Sequence, residues 1–187
     1  MSSTLTYRVD RRDLDFNLFE FLRVQDAALG KGEFVMDEAT ARAALDGFET
    51  YCREVVAPSF VDGDRNAAYR DAEGKVHLPA SIQAAIGGYF EGGWHLLTLP
   101  ERLGGAGGPP SIGIAGFDLL CHANPTVAFF TFPSVTARVL DTIGTEAQKK
   151  RFIGPLLERH WNGSMVLTEP DAGSDVGAAR TKAPKLA

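Results

Sequence analysis

The residues best suited to chemistry lie near the C-terminal end, over positions 165–183. Ser164-Met165-Val166-Leu167-Thr168 reads as a short β-rich run that delivers the Thr168 hydroxyl to its end, and Glu169-Pro170 forces a sharp exit. Asp171-Ala172-Gly173-Ser174-Asp175 then makes a tight loop of small residues. Gly173 would let backbone approach a ligand, and Ser174 could offer both a hydroxyl and a backbone N–H to an anion such as a diphosphate. A donor-bearing strand followed by a small-residue loop suits a ring with a phosphate tail. The same residues also favour a solvent-exposed Asx turn, and the pattern alone does not choose.

Other stretches that could carry chemistry read as structure. Leu103-Gly104-Gly105-Ala106-Gly107-Gly108 places Pro110 where a dinucleotide fingerprint needs its third glycine, and no alternation of strands and helices surrounds it. A structural turn is the reading, with Gly113 and Gly116 as close-packing positions. The histidines at 77, 95, 122 and 160 share no ligand spacing with each other or with Cys52 and Cys121. No H-E-x-x-H, C-x-x-C or P-loop is present, and His122, inside an apolar helix, reads as a hydrogen-bonded core residue.

The chain of 187 residues carries 19 Lys+Arg against 24 Asp+Glu, a net charge of −5, which argues against a nucleic-acid partner. Two cysteines are too few for a disulfide scaffold and fit a reducing, cytoplasmic setting. The start of the sequence has no signal-peptide core. The uncharged run 119–137 is long enough to raise a membrane span, but His122, Asn124 and two prolines make it the buried centre of a helical domain instead.

The elements that must position the 165–183 stretch are helical. The pattern predicts a Phe-rich helix over 14–29 ended by Gly30 and Gly32, then a helix capped by Asp37 and stopped by Pro58. A polar loop over 61–77 follows, then a helix ended by Gly92-Gly93. Pro110 opens an apolar helix that runs to Asn124-Pro125, and another spans about 126–143. Thr145 and Gln148 form a capping box for the last helix. The expected class is mainly α, ending in the first strand of an incomplete β domain, because a strand's backbone groups need a partner.

The 165–183 stretch resembles the signature of the acyl-CoA dehydrogenase family, in which Leu-Thr-Glu-Pro precedes Ala-Gly-Ser-Asp. Upstream, Gly93-Trp94 leading to Leu99-Pro100-Glu101-Arg102-Leu103-Gly104-Gly105, and Gly144-Thr145-Glu146-Ala147-Gln148-Lys149-Lys150, are similar to family passages in the same order. The Phe-rich N-terminus looks like the extension of a larger bacterial subgroup. The resemblance implies an N-terminal extension over 1–36, an orthogonal helical bundle of acyl-CoA dehydrogenase type over 37–162, and the start of a middle β domain over 163–187. It implies FAD as cofactor and an acyl-CoA thioester as substrate, with electron-transfer flavoprotein as acceptor, a homo- or hetero-oligomeric intact enzyme, and a place in fatty-acid β-oxidation.

Carried over, Met165 and Leu167 would border the flavin ring, and Thr168 would donate to its pyrimidine edge. Gly173 and Ser174 would meet the diphosphate, with Ser174 also on the pantetheine side of the substrate. Thr131, Phe132 and Val135 sit where the family lines its acyl tunnel, although simple core packing reads the same trio. Pro133 between them departs from an ordinary helix interior. The family's α-proton base falls outside these 187 residues, and Glu169 belongs to the signature, so no catalytic residue is assigned. The expectation is a portion inactive alone. The alternatives are a non-catalytic helical subunit or interaction module, or part of an acyl-CoA oxidase.

Overall fold

A computed structural model describes residues 7–184; the first six and last three positions of the outer segments expected above lie outside it. The architecture is helical, as the apolar periodicity predicts. The order is α1 (Arg11–Asp15), α2 (Val24–Ala27), α3 (Glu38–Tyr51), α4 (Ala57–Arg65), the strands β1 (Tyr69–Arg70) and β2 (Val76–His77), then α5 (Ala80–Glu91), α6 (Pro110–Ala123), α7 (Pro125–Ala128), α8 (Phe132–Ile143) and α9 (Glu146–Glu158).

Local caps form where their residue types require them. Asp37 accepts from the Thr40 backbone N–H at 2.7 Å and starts α3. Thr145 and Gln148 make the reciprocal capping box of α9, with the Thr145 backbone donating to Gln148 Oε1 at 2.8 Å. α3 and α6 pack together, as do α4 with α5 and α8 with α9. Leu45, Val56, Ile112, Leu119, Leu120 and Val127 fill the centre. Around Phe48, the rings of Tyr51, Tyr89 and Trp94 form an aromatic cluster, and the Tyr51 hydroxyl donates to the Ala85 carbonyl.

Proline and glycine positions depart from the sequence reading in informative ways. Pro58 does not stop the second helix. A wide π turn at Cys52–Val56 shifts the hydrogen-bond register, so that Pro58 falls in the first turn of α4, where its missing N–H is harmless. The expected loop over 61–77 therefore contains the rest of α4 and a hairpin. There Gly74 takes φ +86°, and Asp71 accepts from Lys75 N at 2.7 Å and pairs with His77 Nε2 at 2.6 Å. The Phe-rich helix is broken, because Arg23 adopts a left-handed φ of 50° between a π turn at Phe16–Phe21 and α2. The single helix expected over 126–143 is divided by the turn Phe129–Thr131, which puts Pro133 in the first turn of α8.

Residues 164–168 form no ladder. The only bridge nearby is between Glu169 and Ala172, and β1–β2 is the only paired sheet among the described residues. A strand sequence without a second strand leaves its donors and acceptors to water. No helix of the described residues is long and apolar enough to cross a membrane: the run 119–137 is divided among α6, α7, the turn at Phe129–Thr131 and α8.

Candidate functional site

A cavity of about 450 Å³ opens between α6, the passage 94–98 and the start of α8. Glycines allow that approach. A Cβ on Gly113 would meet Thr98 Cγ2 at 2.6 Å, and one on Gly116 would touch the Phe48 ring at 3.4 Å. The lining is apolar on three sides: Ile114, Phe117 and Leu120 from α6, Trp94 and Leu97 from the passage before it, and Phe132 and Val135 from α8. Thr131, Phe132 and Val135 all lie on this wall. Val135 is 55% exposed, so it is not a core packing residue.

The polar groups at the cavity are few and mostly engaged. Thr131 Oγ1 donates to the Ala128 carbonyl at 2.8 Å, and Ser134 Oγ donates to the His95 carbonyl at 2.5 Å. Arg138 donates to the Thr98 carbonyl at 2.8 Å and to Glu33 Oε1 at 3.2 Å, which holds its charge at one end. His95 is only 7% exposed. Its ring is hydrogen-bonded to the backbone of Leu157, while Nδ1 is buried without a partner among the described residues.

Burial, and then the neighbouring His160, lower the His95 pKa from its ordinary value, so its ring is neutral at pH 7. The unfolded chain then binds the proton more readily than the folded one. The stability linked to this group is complete above its unfolded pKa, about 6.5. It is lost as pH falls from there towards the folded value. His95→Phe is therefore expected to flatten the fall in unfolding free energy between neutral and mildly acid pH. Denaturant titrations of both proteins across that range check it, and parallel curves for the two would refute it.

The residues carried over for a flavin lie elsewhere. Met165 and Leu167 are 76% and 49% exposed, and Thr168, Gly173 and Ser174 are exposed too; none of the five lines the cavity. The link between the two regions is Gly163, where a Cβ would collide with the Thr136 hydroxyl, one residue beyond Val135. The loop after Thr168 is closed by Glu169. Its carboxylate accepts from the backbone N–H of Thr181 at 3.0 Å and of Arg180 at 2.8 Å, and its backbone pairs with Ala172. A hydrogen bond from the Thr181 side chain, and then those from the backbone of Arg180 and Thr181, lower the Glu169 pKa. A carboxylate held this way anchors a loop and is a poor proton acceptor.

Spacing singled out Thr131, Phe132 and Val135 through the resemblance, but missed His95 and Arg138. A histidine one position after a tryptophan has no local signal. Arg138 is recognisable only once α8 brings it to the Thr98 carbonyl.

Comparison with known proteins decides the family. Residues 38–160 match the family model of the acyl-CoA dehydrogenase N-terminal domain. This chain belongs to the acyl-CoA dehydrogenase family. It is 45% identical, over 95% of its length, to the broad-specificity linear acyl-CoA dehydrogenase FadE5 of Mycobacterium tuberculosis, and spans 29% of that protein. It is 34% identical, over 96% of its length, to 3-methylmercaptopropionyl-CoA dehydrogenase of Ruegeria pomeroyi, spanning 30% of it. Butyryl-CoA dehydrogenase of Syntrophomonas wolfei is 28% identical over 94% of the chain, which spans 29% of that protein. The chain thus corresponds to an N-terminal portion of such acyl-CoA dehydrogenases, under a third of their length. The mainly helical class agrees with the matched domain.

Proposed function

We propose that this chain is the N-terminal portion of an FAD-dependent enzyme that introduces a double bond between the α and β carbons of an acyl-CoA thioester. The observation that carries this reading is the apolar cavity with Thr131, Phe132 and Val135 together on its wall. Its walls suit a linear alkyl tail, which they would hold dry, and the single charged group at its margin, Arg138, is paired. The relatives' names, linear acyl-CoA among them, support the substrate class.

FAD fits the 163–187 segment, the opening of a middle β domain, in one respect that the residues display. Met165 and Leu167 offer exposed apolar surface next to the Thr168 hydroxyl, and the Glu169-anchored loop leaves Gly173 and Ser174 facing outward. Met165 and Leu167 would flank the flavin ring, Thr168 would donate to its edge, and Gly173 with Ser174 would hold the diphosphate, with Ser174 also near the pantetheine. When bound, the flavin supplies hydride acceptance. The protein's own contribution here is to bind and orient the acyl tail and exclude water from it. The proposal assigns removal of the α-proton to none of the residues named above.

Electron-transfer flavoprotein as acceptor, a cytoplasmic setting, fatty-acid β-oxidation and an oligomeric intact enzyme belong to the same proposal. A second reading, a helical module that works by binding a partner polypeptide, is favoured by the exposed strip Val135, Val139 and Ile143 at i, i+4, i+8 on α8.

Titrating a linear acyl-CoA into the purified chain is expected to change Trp94 emission saturably, because Trp94 lines the cavity; Trp94→Phe should abolish the response and leave exposed Trp161 as a silent control. With FAD and a redox dye added, no turnover is expected. Absence of any saturable change would sink the acyl reading, and robust dye reduction would sink the view of an inactive portion.

A further inference from the structure

A second apolar cavity, of about 320 Å³, lies behind the first, between α5 and residues 130–133. The two are lined by neighbouring residues of the same segments. Along 130–133 the lining alternates: Thr131 and Phe132 face the first cavity, Phe130 and Pro133 the second. Across from that segment the wall consists of rings. His95 lines the first cavity, and Phe90 and His160 line the second. The Phe90 ring stands edge-on to His95 at 5.1 Å between centroids and is stacked on His160 at 3.9 Å with an interplanar angle of 10°. His160 and His95 are 5.6 Å apart. His160 holds a left-handed φ of 52°, a conformation a non-glycine residue keeps only when its surroundings hold it there.

We propose that the rings of Phe90, His95 and His160 are a partition that sets the longest linear alkyl tail the first cavity accepts, the second cavity being the extension it closes off. This rests on the acyl reading of the first cavity. A wall made of side-chain rings is removable by single substitutions, whereas a wall of backbone is not. The space behind it has the same chemistry as the space in front: Leu78, Ile86, Phe130 and Pro133 continue an alkyl-compatible surface. Each methylene that finds such surface adds affinity, and each that meets the partition adds none. Gly87 supplies an independent handle. It lines the second cavity, and a Cβ there meets nothing within 4 Å, so a larger side chain at 87 would fill the extension without straining α5.

The test is calorimetric titration of the 187-residue chain with saturated linear acyl-CoAs from butanoyl to hexadecanoyl. The parent is expected to gain affinity with chain length up to a break and then level off. Phe90→Ala should move the break to longer chains and tighten binding of the longest by about tenfold, leaving the shortest within about twofold. Adding Gly87→Phe to Phe90→Ala should restore the parental break. His160→Ala, which removes an exposed ring and spares the core, should move the break in the same direction and decides the matter if Phe90→Ala does not fold. Breaks unmoved in the folded variants, with short chains bound as by the parent, overturn the partition alone. A parent that binds no acyl-CoA overturns the acyl reading and the partition with it.

Discussion

Asn124→Ala is expected to lower the unfolding free energy by about 2–4 kcal/mol, from a lost cap and a broken buried hydrogen bond together. Asn124 is 1% exposed and sits between α6 and α7. Its Oδ1 accepts from Thr126 N at 3.0 Å, which caps α7, and its Nδ2 donates to Ser59 Oγ at 2.8 Å. Ser59 is equally buried and donates onward to the Val56 carbonyl at 2.6 Å, at the end of the π turn that resets the register before α4. Removing the cap costs about 1 kcal/mol. Leaving the Ser59 oxygen without its donor and the Asn124 site hollow costs about 1–3 kcal/mol more.

Urea unfolding of the parent, Asn124→Ala, Ser59→Ala and the double variant measures this, with an unchanged denaturant slope as the condition for comparing midpoints. Since the two side chains lose the same bond, the double variant should lose less than the sum of the singles. A single-variant loss below about 0.5 kcal/mol, the ordinary range of surface changes, would show that this junction does not hold α7 in place.

What the sequence made legible divides along the range of the interactions. Asp37 and the Thr145–Gln148 box were readable because a cap and the backbone donor it accepts from lie three residues apart. Asn124-Pro125 marked a helix boundary correctly, but the partner of Asn124 is 65 residues away and leaves no local trace. Pro58 and Pro133 misled for one reason. A proline's effect depends on where it falls in the hydrogen-bond ladder, and the turns Cys52–Val56 and Phe129–Thr131 move that origin. Thr131, Phe132 and Val135 could be picked out by resemblance. Their sharing a wall with His95 and Trp94 required the fold to bring α8 against the passage after α5. The strand pattern of 164–168 was plain as a pattern, yet pairing is a property of two segments, and only one is among the described residues.

Gly105→Ala is expected to cost about 3 kcal/mol, near the top of the ordinary range for overpacking. The reason is what an added methyl would strike. A Cβ on Gly105 would overlap the carbonyl oxygen and carbon of Leu99, and backbone cannot rotate out of the way as a side chain can. That backbone is also held from the glycine side: Ala106 N donates to the Leu96 carbonyl at 3.0 Å, Gly107 N to Leu99 at 2.9 Å, and Gly108 N to Leu97 at 3.0 Å. Gly104 provides the contrast within the same turn. It needs its positive φ of 77°, but a Cβ there meets nothing, so Gly104→Ala should cost only the left-handed penalty of about 1–2 kcal/mol. The two substitutions should also separate in binding. The bonds from Ala106, Gly107 and Gly108 pin residues 96–99, and Leu97 and Thr98 line the first cavity, so a Gly105→Ala clash with Leu99 should weaken acyl-CoA binding as well as stability. Gly104→Ala should lower stability and leave the affinity alone. Unfolding midpoints and Trp94 titrations of the two variants, measured side by side, decide whether the glycine turn is there for its backbone angles or for the contact that shapes the cavity wall; equal losses in both would favour the angles.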